Sequence, residues 1–214
     1  TPSWSNQSIK VKASGHARFE TKLKTPEAGG PYEITIVSGA YKKILKNILI
    51  GEVWLCSGQS NMQWNANNQL KEMLDELPEA NHANIRLLNI SNVASLTPQD
   101  DIFDSWVACT SETVRNFSAI GYFIAKQLQA DLKVPIGVIN SSWGGTAAEF
   151  WTPANIILED AELLQNAKNQ RPAPSKPHEP GSLWNSMIRP FAGYTIAGVF
   201  WYQGESNIVS YNGY

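Results

Sequence analysis

An apolar run over residues 48–56 stops abruptly at Ser57-Gly58-Gln59-Ser60-Asn61, and a helical pattern follows. A strand that ends in a small Gly-containing turn and feeds a helix holds a side chain at the carboxyl edge of a sheet. Open α/β sheets bind ligands and do chemistry at that edge. Ser60, on the turn, is the candidate nucleophile. Two other apolar runs end similarly: 135–140 leads into Ser141-Ser142-Trp143-Gly144-Gly145-Thr146, and 196–202 into Gln203-Gly204-Glu205-Ser206-Asn207. Acyl transfer needs a nucleophile, a base for its proton, and donors for the developing oxyanion. Ser60 can attack, and its own N–H, at a helix N-terminus, can donate to the oxyanion. The Gly144-Gly145 turn offers a second N–H with no side chain in the way, and Gln203 a side-chain amide. One Gly-x-Ser turn is usually only a turn; three polar turns after three apolar strands are more specific.

The elements that must position these turns follow from the hydrophobic pattern. Residues 1–47 alternate apolar and polar at 9–12, 17–23 and 32–37 between Gly/Pro turns, the behaviour of half-buried antiparallel strands. They read as a partial, sandwich-like β segment. Residues 48–214 change to strands separated by helices: strand 52–56, helix 69–77 ended by Pro78, strand 85–90, helix 118–132 with Ile120, Phe123, Ile124 and Leu128 on one face, and strand 135–140. A helix at 154–167, a solvated Pro-rich loop at 171–181, a short helix at 183–188 and strand 196–202 complete the pattern. Such alternation predicts the α/β class, with a doubly wound parallel sheet and all three turns at its carboxyl edge. Gly58-Gln-Ser-Asn-Met and Gly204-Glu-Ser-Asn-Ile share the form Gly-x-Ser-Asn-apolar, which reads as similar turn chemistry and not as an internal repeat.

Composition narrows the function classes. The 214 residues are 43% hydrophobic and 17% charged with net charge −2, an ordinary globular balance. There is no basic patch to suggest nucleic acid, no apolar stretch near the ~20 residues of a membrane span, and no signal-peptide pattern at the start. Cys56 and Cys109 read as buried free thiols ahead of a disulfide, and two Cys with three scattered His make no convincing zinc site. Eight Trp are unusual; Trp54, Trp64, Trp143, Trp151, Trp184 and Trp201 fall near Gly-containing turns. Flat apolar faces beside polar turns suit sugar rings, although a core loop is the commoner place for Trp.

Three blocks, Gly51 through Trp64, Asn140 through Trp151 and Trp201 through Asn207, resemble the signature blocks of the sialate O-acetylesterase family, with weaker likeness at 117–123 and 28–32. The resemblance implies an SGNH (GDSL-like) hydrolase fold with flavodoxin-like strand order, an activity removing acetyl groups from carbohydrates, and no metal or organic cofactor. It makes Ser60 the nucleophile and puts Gly145 (Gly144 as the alternative) and Gln203 in the oxyanion hole. Glu205 is expected to support the site by hydrogen bonding. Gln59, Asn61, Trp64, Trp143 and Asn185 form the expected substrate-binding set.

The family's base is a His that follows an Asp near the end of the catalytic domain, and no such motif stands here. His16 lies in the β segment, His82 at the wrong sheet edge, and His178 in the Pro-rich loop. The expectation is a C-terminally truncated domain whose Asp and His lie in a further segment, with that segment as a second chain, or a copy of this one, as partner. The expected activity is a serine esterase acting on an O-acetylated sialic acid or an acetylated polysaccharide such as xylan. A non-catalytic carbohydrate-binding protein and a GDSL-type lipase are the alternatives. An extracytoplasmic location, periplasmic, secreted or lysosomal, is expected. Glycosylation sequons begin at Asn6, Asn89, Asn116 and Asn140, the last at a buried strand end.

Overall fold

The apolar run at 48–56 is not one strand but parts of two, divided at the exposed Gly51. Its halves have different partners: 48–50 pair antiparallel with an upstream strand, whereas 52–58 pair in parallel with downstream ones. In the computed structural model, which describes residues 1–5, 7–170 and 176–208, the chain divides there into two compact units, Thr1–Gly51 and Glu52–Tyr214. The sequon at Asn6 and the first half of the Pro-rich loop lie outside the described residues.

In the first unit, β1 (Gly29–Ser38) and β2 (Tyr41–Ile50) form an antiparallel hairpin closed by a two-residue turn with Gly39 at φ +59°. The strands expected at 9–12 and 17–23 do not form. Ile9, Val11 and Phe19 stay about half exposed, because alternation supplies a face but not the partner ladder a strand requires.

The second unit is built on a five-stranded sheet. Its strands are β3 (Glu52–Gly58), β4 (His82–Asn89), β5 (Val107–Cys109), β6 (Ile136–Ser142) and β7 (Gly198–Tyr202), in spatial order β5-β4-β6-β3-β7. All neighbours are parallel except β5, which closes the outer edge of β4 antiparallel. The α/β class and mostly parallel sheet are as expected; the flavodoxin-like order is not. The first parallel strand lies between the third and fourth, and the second is displaced outward. Burial explains the exchange: β6 is almost wholly buried and takes the interior place, while the first residues of β4 are partly exposed.

Adjacent strand residues belong to different cores. Cys56, Leu87 and Val138 enter one cluster with Met62 and Tyr122, and Leu55, Leu88 and Ile139 enter another with Phe150, Trp151, Leu183 and Met187. The sheet is therefore covered on both faces. Both thiols are free and buried; burial pushes Cys56 up to about 12 and Cys109 to about 11.

The helices are α1 (Ser60–Gln63), α2 (Lys71–Glu76), α3 (Ser111–Val114), α4 (Ala119–Leu132), α5 (Ala148–Trp151), α6 (Ala154–Glu159), α7 (Ala161–Asn169) and α8 (Glu205–Ile208). Ser118 caps α4 as its Oγ accepts the Gly121 N–H at 3.0 Å. The single helix expected at 154–167 is two, because Asp160 interrupts it and caps α7, accepting from the N–H groups of Glu162 and Leu163. The helix expected at 183–188 is a π-helical turn, Trp184–Ile188.

What positions a site is the register at the carboxyl edge. Gly58 stands opposite both Ser142 and Tyr202, so β3, β6 and β7 end level. Gly58 sits at φ +136°, and a Cβ there would lie 2.1 Å from the Tyr202 carbonyl oxygen. Gly58→Ala is expected to destabilise the protein by about 3 kcal/mol or more, combining backbone strain with overpacking. Urea denaturation would show it as a lower midpoint.

Candidate active site

The three turns that follow these level strand ends are lashed together by their backbones. The Gln59 N–H donates to the Tyr202 carbonyl at 3.0 Å, and the Trp143 N–H to the Gly58 carbonyl at 3.0 Å. Ser60 is half-buried as the first residue of α1. Its Oγ lies 3.5 Å from Glu205 Oε2 across the gap between the first and third turns.

Gln59 is 3% exposed and works as a brace. Its amide donates to Glu205 Oε2 at 3.1 Å, and its Oε1 accepts from the N–H groups of Gly204 (3.3 Å) and Ser206 (3.1 Å) and from Gln203 Nε2 (3.3 Å). Gln203 Nε2 also faces the Thr146 carbonyl at 3.3 Å and Asn207 Oδ1 at 2.5 Å. Two amide protons thus serve three acceptors. Asn207 Oδ1 in turn accepts the Ala148 N–H at 2.9 Å, while its Nδ2 donates at 2.8 Å to Glu149, a carboxylate only 4% exposed. A continuous polar network therefore runs from Glu149 through Asn207, Gln203 and Gln59 to Glu205 and Ser60.

The second turn runs close beside the serine. A Cβ on Gly144 would stand 3.3 Å from both Cα and Cβ of Ser60. The Gly144 N–H is taken by Gln63 Oε1 at 2.7 Å, and its carbonyl by Lys176 Nζ at 2.6 Å. Gly145, at φ +73°, makes no hydrogen bond through its N–H among the described residues, and neither does Ser60. The two glycines are thereby distinguished: among the described residues the Gly144 N–H is occupied and the Gly145 N–H is not.

The other expected residues are placed unequally. Asn61 is half-buried beside Ser60, with no side-chain hydrogen bond among the described residues. Trp64, at the end of α1, is 47% exposed. Trp143 packs partly into the second core with Lys176 Nζ 5.6 Å from its ring, and Trp151 is buried edge-to-face against the half-exposed Trp201. Asn185 is buried and tied to the loop carbonyl of Ser95 at 3.1 Å, not to the Ser60 turn. Among the described residues no histidine bonds Ser60: His82 Nε2 lies 2.9 Å from the Tyr122 hydroxyl, and His178 Nε2 lies 3.5 Å from Glu179.

Sequence reasoning missed Gln63, Glu149, Lys176 and Asn207. Asn207 had a signal in the shared Gly-x-Ser-Asn form; the others reach the site through side chains whose direction no local pattern reveals.

Residues 50–213 match the family model for the carbohydrate esterases described as sialic acid-specific acetylesterases. The chain belongs to this family. Among similar proteins, the human (Homo sapiens) sialate O-acetylesterase is 33% identical over 89% of this chain and 38% of its own length. The mouse (Mus musculus) sialate O-acetylesterase is 31% identical over 86% of this chain and 41% of its own. The crystal structure of a carbohydrate acetylesterase from Xanthomonas citri superposes with TM-score 0.80 at 35% identity, over 94% of this chain and 43% of that one. The chain thus spans less than half the length of these relatives. Within this acetylesterase-family chain, the blocks at 51–64, 140–151 and 201–207 are the segments that the level strand ends bring together.

Replacing Asn207 by Leu would leave the buried Glu149 carboxylate and the Ala148 N–H without the partner that Asn207 provides. A stability loss of about 3 kcal/mol is expected, and denaturant titration of the parent and Asn207→Leu proteins would measure it.

Proposed function

We propose that the protein is a serine esterase that removes O-acetyl groups from carbohydrates. The observation that carries this is the position of Ser60 between the Gly144-Gly145 turn, so close that a Cβ on Gly144 would stand 3.3 Å from it, and Glu205 on the other side, in a chain of the acetylesterase family. Ser60 Oγ attacks the acetyl carbonyl. The oxyanion is received by the N–H groups of Ser60 and Gly145, both unpaired among the described residues. Gln203 joins them by turning one proton from its two long 3.3 Å contacts toward the substrate. The sugar hydroxyl leaves with a proton, and water then releases acetate from the acyl-enzyme.

The base is a histidine, oriented by an aspartate, on a further segment or chain; among the described residues His82 and His178 have other partners. Glu205 orients the Ser60 hydroxyl and, through Gln59, holds the third turn in place. Asn61 and the exposed Trp64 meet the sugar. An O-acetylated sialic acid is the substrate suggested by the family description. The reading includes an extracytoplasmic location, supported by the exposed sequon residues Asn89 and Asn116; Asn140, 4% exposed, is no acceptor. It also includes a further segment or chain laid along β7, where Val199, Trp201 and Tyr202 are about half exposed.

The full-length protein should be labelled by a fluorophosphonate and release acetate from an O-acetylated sialic acid. Ser60→Ala should abolish labelling and lower kcat about 10⁴-fold. Glu205→Gln should cost roughly tenfold. Sugar binding without labelling would establish the non-catalytic alternative.

A further inference from the structure

The amide donor at Gly145 has a charged partner behind it. A peptide unit joins the carbonyl of one residue to the N–H of the next, so the C=O of Gly144 and the N–H of Gly145 belong to one planar, trans group and point in opposite directions. Lys176 Nζ donates to that carbonyl at 2.6 Å, a charge-assisted bond. The half-buried ammonium forms no ion pair among the described residues. Its remaining contact is the face of Trp143, 5.6 Å from the ring centroid. The turn is fixed from the other side by Gln63 Oε1 on the Gly144 N–H, so the Gly144–Gly145 peptide is pinned at both ends of its first residue.

We infer that Lys176 is a positioning residue of the oxyanion hole, orienting and polarising the Gly144–Gly145 peptide so that the Gly145 N–H is a stronger donor. An ammonium on the carbonyl oxygen draws electron density through the amide and makes its N–H more acidic. The effect grows as negative charge develops on the reacting oxygen, so it appears in the transition state more than in the bound ester. Burial holds the Lys176 amine below the usual lysine range, the expected mark of a cation without a carboxylate partner. The inference rests on the esterase reading above for its catalytic consequence, but the Lys176–Gly144 bond can be tested without it.

The experiment compares the full-length protein with Lys176→Met, Lys176→Arg and Ser60→Ala, using 4-nitrophenyl acetate. Lys176→Met should lose roughly tenfold in kcat, a fraction of what a whole oxyanion donor supplies, with KM within about twofold and melting nearly unchanged. Lys176→Arg should recover most of the loss, since a guanidinium can still donate to the carbonyl. Unchanged kcat in Lys176→Met, a loss confined to KM, or an Arg variant no better than Met would overturn the inference. The ¹⁵N–¹H signal of Gly145 supplies a readout apart from activity: it should move upfield in Lys176→Met and return in Lys176→Arg. If Ser60→Ala proves as active as the parent, the esterase reading fails, and a Gly145 signal indifferent to Lys176→Met would sink the Lys176 role independently.

Discussion

The site depends on the register that makes β3, β6 and β7 end on one level. Parallel strands stop where their chains turn away, and here Gly58 is opposite Ser142 and Tyr202 at once. Three turns that are up to 146 residues apart in sequence, as Gln59 and Glu205 are, thereby come within a single hydrogen bond of each other. The approach is close enough that only glycine fits at the end of β3, where a Cβ would lie 2.1 Å from the Tyr202 oxygen. A larger residue would push β7 away and separate Ser60 from Glu205. The constraint is steric and backbone-level, and the chemistry is fitted onto it.

Level strand ends create a second demand, because three polar turns packed together bury part of their donors and acceptors, those of Gln59, Thr146, Glu149 and Asn207. The network from Glu149 to Glu205 satisfies them. Gln59 alone answers two backbone N–H groups and two side chains. A half-satisfied version would be worse than an apolar filling, since each orphaned buried group costs about 1–3 kcal/mol. The buried Glu149 carboxylate fixes which way the Asn207 amide faces, and Asn207 then fixes Gln203. Orientation thus passes from the buried Glu149 carboxylate through Asn207 to the Gln203 amide.

Much of this was legible because the pattern is local. An apolar run meeting a polar Gly-containing turn announces a strand end, and Ser60, Gly145 and Glu205 all stand on such turns. The shared Gly-x-Ser-Asn form also contains Asn207, although it reads only as turn chemistry. Strand order was not legible, because pairing is decided by which strand can be buried on both sides, a property of the whole sheet. The alternating segments at 9–12 and 17–23 misled because periodicity describes a face without supplying a neighbour. The three-residue β5 was too short for any pattern. Gln63 and Lys176 were invisible for a different reason: each acts at the end of a long side chain on a glycine 81 or 32 residues away.

That last class of residue explains how so slight a helix can serve the site. α1 has four residues, and so few aligned peptides give only a fraction of the field that a long helix presents at its N-terminus. In the proposed reaction the Ser60 N–H therefore receives little help from its own helix in holding a developing negative charge. The second turn has a different arrangement: it leads into an equally short helix, α5, but a full positive charge sits on the other end of the Gly145 peptide. A unit charge 2.6 Å from a carbonyl acts more strongly on that one amide than a short stack of dipoles acts on its first N–H. In the proposed esterase the electrostatic weight of the oxyanion hole accordingly falls on the glycine turn, which is also the part whose geometry is fixed from both sides.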